Sequence, residues 1–167
     1  NYDEFSEFAA NARIRDLVWQ YDSALTRAAD VVFASSRAQC ERRHAVNPNT
    51  HFIPNAVDFE LYNGALSPGL ALPDDLAGIP GPIIGFVGWL GHHIDSALLL
   101  AVARAYPQCS LVLVGPDQLP ADEAAHALHE APNVHFLGRK AQKQLPQYLQ
   151  VFDVALMPWL LNGHVRS

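Results

Sequence analysis

Long apolar runs, cysteines and excess positive charge are what this chain has little of, and each shortage argues against a class of function. No apolar run approaches the ~20 residues that a membrane-spanning helix needs, so membrane association is expected to be peripheral at most. Two cysteines, Cys40 and Cys109, lie far apart and each sits beside a core-like run. That is too sparse for a disulfide framework or a cysteine-based metal site, and it points to a reducing, cytoplasmic setting with two structural thiols. Lys and Arg number 11 against 17 Asp and Glu, leaving a net charge of −6. A general nucleic-acid binder would show a basic surface instead, so no nucleic-acid partner is expected. His126, His129 and His135 have no companion cluster of cysteines or carboxylates, and no metal is expected. Nothing resembles a Ser-His-Asp or Cys-His set, so no catalytic residue is assigned. There is no signal peptide, no methionine at position 1, no internal repeat and no low-complexity tract. The chain starts in a helix-like segment and stops at Arg166-Ser167 without a closing element, which reads as a fragment.

What is present is apolar and regularly punctuated. With 167 residues and 50% hydrophobic side chains, the chain can bury one core or parts of two. The organising stretch is Gly81 to Asp117. Ile83-Ile84-Gly85-Phe86-Val87 stops at Gly88, a helical stretch follows from about Asp95 to Ala105, and Leu111-Val112-Leu113-Val114 stops at Gly115. Continuous apolar strands joined through a helix read as a βαβ unit, because parallel strands covered on both faces lack polar alternation. Before it, Tyr2 to Ala28 is helical in pattern, Val31 to Ala34 is a short strand, and Ser36 with Gln39 makes a capping pattern for a helix through about His44. His51-Phe52-Ile53 is a further short strand. The Gly- and Pro-rich stretch 63–82 marks a linker or hinge. After the βαβ unit, Pro120 and Ala121 open a helix, 133–138 is a strand, 142–151 is helical with Pro146 in its first turn, and 153–158 is a last strand. These alternations imply half of a doubly wound parallel sheet with strand order 3-2-1-4. The loops Gly88–Asp95 and Pro158–Asn162 should then flank one crevice at the switch point.

Several residues in that region suit ligand chemistry. Gly85-x-x-Gly88-x-x-Gly91 lacks the spacing of a redox dinucleotide loop, and Gly85 lies inside the strand. His92-His93 could bind phosphate oxygens or move protons near neutral pH, or could be polar residues of an exposed loop. Asp95 is read as the cap of the following helix, whose N-terminus would offer free N–H groups to a diphosphate. Arg139-Lys140 follow a strand-ending Gly138 where cations would suit a diphosphate, or form a solvated surface pair.

Taken together, the segments resemble retaining glycosyltransferases of the GT-B fold, family 4 type. Ala29 to Ser36 followed by Phe52-Ile53-Pro54-Asn55-Ala56-Val57-Asp58 matches the pattern where that family's first domain hands over to its second, with Ala56 in place of the commoner Gly. Ile84 to Gly88, Leu113 to Pro116, Asn133 to Gly138 and Phe152 to Pro158 match strand motifs of the donor domain, in the right order over residues 29–160. The resemblance implies the end of an acceptor domain at 1–62, a hinge at 63–81 and the first half of a donor domain at 82–167. It implies transfer of a sugar from a nucleoside diphosphate sugar to a saccharide or other hydroxyl acceptor, with no required metal and no cofactor. Gly88, Trp89, His92, His93, Arg139 and Lys140 would border the donor. Many members carry an Arg and a Lys after the first donor-domain strand, whereas 89–95 has neither. Either another donor is used or His92 and His93 partly substitute. The family's paired glutamates would lie beyond Ser167 and its Gly-rich loop before Asn1, so this chain alone is expected to be inactive. An epimerase of the same fold and a non-catalytic nucleotide-binding module are the alternatives.

Overall fold

The apolar run at the centre of the chain becomes the first strand of a parallel sheet, in a computed structural model that describes residues 12–67 and 69–160. These residues divide into two compact units, one over residues 12–57 and one over Asp58–Leu160.

In the first unit, α1 (Ala12–Ala28) leads to β1 (Val32–Ala34), α2 (Arg37–His44) and β2 (Thr50–Phe52), and the two strands pair in parallel. The helix expected from Tyr2 is present from Ala12, and its earlier part lies outside the described residues. The Ser36 hydroxyl accepts the Gln39 N–H at 3.2 Å, as the capping pattern predicts. Asn47 ties the unit together from a buried position: its amide donates to the carbonyls of Thr26 at 2.9 Å and Ala29 at 2.7 Å, while its oxygen accepts the Asn49 N–H. A buried amide is stabilising only when satisfied in this way.

The second unit runs through α3 (Phe59–Asn63), two 3₁₀ turns, β3 (Ile83–Val87), α4 (Ser96–Ala105), β4 (Ser110–Val114) and α5 (Glu123–Glu130). It then continues through β5 (Val134–Gly138), a 3₁₀ turn, α6 (Leu145–Leu149) and β6 (Val154–Ala155). All four strands are parallel, in the order β5-β4-β3-β6, which is the order expected of half a doubly wound sheet. β4 is buried at every position, and its side chains alternate between two cores. Leu111 and Leu113 join Phe86, Leu99 and Leu128 on one face. Val112 and Val114 join Leu76, Ile83 and Tyr148 on the other. Each fully buried aliphatic side chain contributes about 1.5–3 kcal/mol, so these cores are the main stabilising term.

Three boundaries differ from expectation. α5 begins at Glu123 rather than Pro120, because Asp122 adopts extended backbone and accepts the Ala125 N–H at 2.8 Å as the cap. The last strand is only Val154–Ala155, although Leu156 N–H still reaches Gly85 O at 2.8 Å. Pro158 has no N–H with which to extend that ladder. The helical segment 142–151 divides into a 3₁₀ turn at Gln142–Gln144 and α6, with Pro146 in the first turn where its missing N–H costs nothing. The Gly- and Pro-rich stretch 63–82 packs within the second unit, burying Leu76 in its second core.

Candidate functional site

β3 stands between β4 and β6, so the chain leaves it to opposite sides and the sheet has its switch point there. The loops that follow β3 and β6 meet directly. Ile94 and Trp159 form an antiparallel bridge, the Asp95 N–H donates to Pro158 O at 2.8 Å, and the Leu160 N–H donates to His93 O at 2.9 Å. On the other side, the Gly88 N–H donates to Val114 O and the Leu90 N–H to Pro116 O. Gly115 permits this closeness: a Cβ there would stand 1.7 Å from the Gly88 carbonyl oxygen, and its φ of +148° disfavours a side chain independently. The loop after β3 is thus fixed on both flanks.

Gly88, Trp89, His92 and His93 are brought together on this loop, with Trp159 beside them. The Trp89 indole lies 5.3 Å from the His92 ring and 4.9 Å from the His93 ring, and His93 lies 6.1 Å from Trp159. The Trp89 Nε1–H donates to Gln118 Oε1 at 2.9 Å. Burial lowers the His93 pKa below 6.5, and the neighbouring His92 adds to this. A neutral imidazole is therefore the resting form of His93 at neutral pH.

Arg139 and Lys140 follow β5, on the far side of β4 from β3. Arg139 is exposed and has no hydrogen bond or ion pair among the described residues. Lys140 is committed elsewhere: its ammonium pairs with Asp75 and lies 5.6 Å from the centre of the Tyr148 ring, whose hydroxyl donates to Asp75 Oδ1 at 2.9 Å. Burial raises the Asp75 carboxyl, but the Lys140 and Tyr148 hydrogen bonds outweigh it and leave its pKa lowered. The Lys140 pKa is raised by its hydrogen bond to Asp75.

The start of α4 is capped by Asp95, whose Oδ1 accepts the Leu98 N–H at 2.8 Å. A carboxylate therefore already stands at the helix end that the sequence offers to a diphosphate, and it opposes a second anion there. Between the starts of α4 and α5 runs a groove of about 570 Å³, with Leu100, Ala124 and Ala127 on its walls and Asp95, Asp122 and Arg104 at its polar edges. Both aspartates are engaged as caps, and Asp122 also accepts the Ser96 hydroxyl at 3.3 Å. Sequence reasoning missed Trp159, Gln118 and Asp75 as participants. Trp159 was legible as part of the loop after the last strand, whereas Gln118 and Asp75 carry no signal in one dimension. Among the described residues no group of three or more His, Cys, Asp or Glu could hold a metal ion.

No family model matches the chain. A Bacillus subtilis (strain 168) protein named "Putative teichuronic acid biosynthesis glycosyltransferase TuaH" is 30% identical over 111 residues, which are 65% of this chain and 27% of that protein. Crystal structures of Anabaena Alr3699/HepE share the fold. The complex with UDP-glucose superposes with a TM-score of 0.59 at 22% identity, covering 83% of this chain and 41% of that one. The complex with UDP gives 0.61 at 23% identity, covering 87% and 42%. The chain thus spans about 27% of the curated relative and about 41% of the structural neighbour.

Proposed function

We propose that this chain, which resembles GT-B glycosyltransferases in its motifs and has the Rossmann-like α/β fold of their domains, is part of an enzyme that transfers a sugar from a nucleoside diphosphate sugar to a saccharide or other hydroxyl acceptor. The observation that carries this reading is the switch point. The strand motifs of the resemblance form one parallel sheet in the order β5-β4-β3-β6, and the loops after β3 and β6 are bonded to each other at its carboxyl end. Open α/β sheets hold their ligands there. Residues 82–160 are then the first half of the donor domain. The end of an acceptor domain, read over residues 1–62, is supported for residues 12–57 by the separate two-stranded sheet β1-β2 with Phe33 left 61% exposed, whereas Asp58–Tyr62 pack with the second unit. A parallel sheet is ordinarily covered on both faces, so a larger sheet suits these strands.

The diphosphate is assigned to the loop Gly88–His93 and to Arg139. Lys140 is paired with Asp75, whereas Arg139, directly after β5, is exposed and has no side-chain partner among the described residues. The N–H groups of Gly88, Leu90, Ile94 and Asp95 are taken by backbone carbonyls, whereas those of Trp89 and Gly91 make no backbone bond among the described residues and could serve phosphate oxygens. Catalysis would rest on stabilising the leaving diphosphate by such fixed donors. A cytoplasmic site of action fits the two free thiols of Cys40 and Cys109. No described helix is long and apolar enough to cross a membrane.

The test is calorimetric titration of the whole protein with UDP and UDP-glucose, followed by NMR detection of glycosyl transfer to saccharide acceptors. Binding that weakens about tenfold in Arg139→Ala, the scale of one charge-assisted hydrogen bond, is the expected result. Absence of binding by either nucleotide, and by the corresponding GDP and ADP sugars, would overturn the reading.

A further inference from the structure

The Trp89 indole combines exposure with a fixed orientation. It is 43% exposed, and it is held in one orientation. Its Nε1–H is bonded to Gln118 Oε1 at 2.9 Å, which anchors the outer edge of the ring system to the segment following β4. Its body rests on Gly91, where an added Cβ would stand 2.5 Å from the ring. The His92 and His93 rings meet it at 5.3 and 4.9 Å. Trp159, itself 44% exposed, meets His93 edge-on in a T-shaped contact at 6.1 Å. The loops carrying these rings are joined by the Ile94–Trp159 bridge and by the bond from Leu160 N–H to His93 O, so the two indoles belong to one rigid assembly.

An exposed apolar ring normally lowers its exposure by rotating onto the surface. Here a hydrogen bond keeps Trp89 from doing so, which is the arrangement of a pre-organised contact. Its place at the switch point puts it where a ligand ring would lie. The surroundings narrow the class of ring. An indole offers a flat, electron-rich face to polarised C–H bonds, while the imidazoles and the Gln118 amide beside it offer hydrogen bonds at the ring's edge. A pyranose presents this combination, with C–H groups on one face and hydroxyls around its rim.

We propose that Trp89 and Trp159, with His93 between them and Gln118 orienting Trp89, form a stacking platform for a pyranose ring. The assignment rests on the glycosyltransferase reading for its place in a reaction, and the ring could come from the donor or from the acceptor.

The experiment uses the whole protein with three probes: UDP, UDP-glucose and maltose, the last read by tryptophan fluorescence and saturation-transfer NMR. Trp89→Ala should weaken a pyranose-bearing probe by roughly fivefold to fiftyfold, the scale of one ring stacked on an aromatic side chain. Trp89→Phe should restore most of that loss, and Gln118→Ala should fall between them. A donor ring is indicated if UDP-glucose weakens while UDP does not. An acceptor ring is indicated if UDP-glucose is unchanged while maltose binding, or KM for a saccharide acceptor, suffers. Wild-type protein that binds maltose but neither nucleotide, nor the GDP and ADP sugars, would overturn the glycosyltransferase reading, and loss of that maltose binding in Trp89→Ala would still support the platform. Equal loss of UDP and UDP-glucose would overturn the platform, since the base or diphosphate would then be what the indole touches. So would unchanged binding of all three probes in both Trp89→Ala and Trp159→Ala. Thermal unfolding of each variant separates these outcomes from loss of fold.

Discussion

His93 shows how placement changes the chemistry of a residue. Exposed, a histidine beside a diphosphate could gain a proton and act as a cation near neutral pH. Partly buried against Trp89 and Trp159, with His92 adjacent, it has a pKa lowered below 6.5. The lowered value means that the unfolded chain binds protons at a higher pH than the folded one. The contribution of His93 to stability is therefore complete above about pH 6.5 and is lost as the pH falls below it. An NMR titration should place its midpoint below 6.5, and His93→Phe should reduce the loss of stability in urea between pH 7 and pH 5. A midpoint above 6.5 would restore it as a candidate phosphate cation.

At the level of elements, the 3₁₀ turn at Asp74–Leu76 is fastened by one carboxylate to two partners, Lys140 after β5 and Tyr148 on α6. Their weights differ. An ion pair open to solvent is worth about 0–1 kcal/mol, and the Lys140 and Asp75 side chains are 20% and 36% exposed. Tyr148 is 3% exposed, so removing its acceptor strands a buried hydroxyl at a cost of about 1–3 kcal/mol. Asp75→Ala should therefore destabilise by about 1–3 kcal/mol and Lys140→Ala by less than about 1 kcal/mol, measured by urea unfolding. The opposite ranking would show that the ion pair, not the phenol, fastens the turn. Because the Asp75 pKa is lowered, its contribution is complete above about pH 3.8 and is lost as the pH falls below that value toward the lowered pKa of the folded state.

Across the whole molecule, protection is expected to follow burial of the sheets. β4 is paired on both sides and covered on both faces, with Leu111 to Val114 no more than 1% exposed. β1 and β2 are three residues each and leave Phe33 and Phe52 at 61% and 37%. Hydrogen exchange should be slowest at Val112 and Leu113 and faster by orders of magnitude at Phe33 and Phe52. Comparable protection in both sheets would mean that β1-β2 is covered in solution.

The sequence by itself determined the second unit's architecture. Apolar runs ending in glycine at Gly88, Gly115 and Gly138, separated by capped helical stretches, admit little besides a parallel sheet, and a βαβ crossover has one hand. It also pointed to the loops after β3 and β6 as neighbours, and their described residues 88–95 and 158–160 are bonded to each other. Partners were what only the tertiary structure decided. Lys140 reads as a free cation until Asp75, 65 positions earlier, is folded against it. The stretch around Asp75 reads as linker because Gly and Pro mark local backbone, whereas Leu76 makes it part of the core through contacts with Ile83, Val112, Val114 and Tyr148. Trp89 carries no sign of its orientation until Gln118 stands beside it. Periodicity and turn chemistry act over a few residues and survive in one dimension. Ion pairs, desolvation and ring contacts depend on distances between residues far apart in sequence, and only the folded chain sets those.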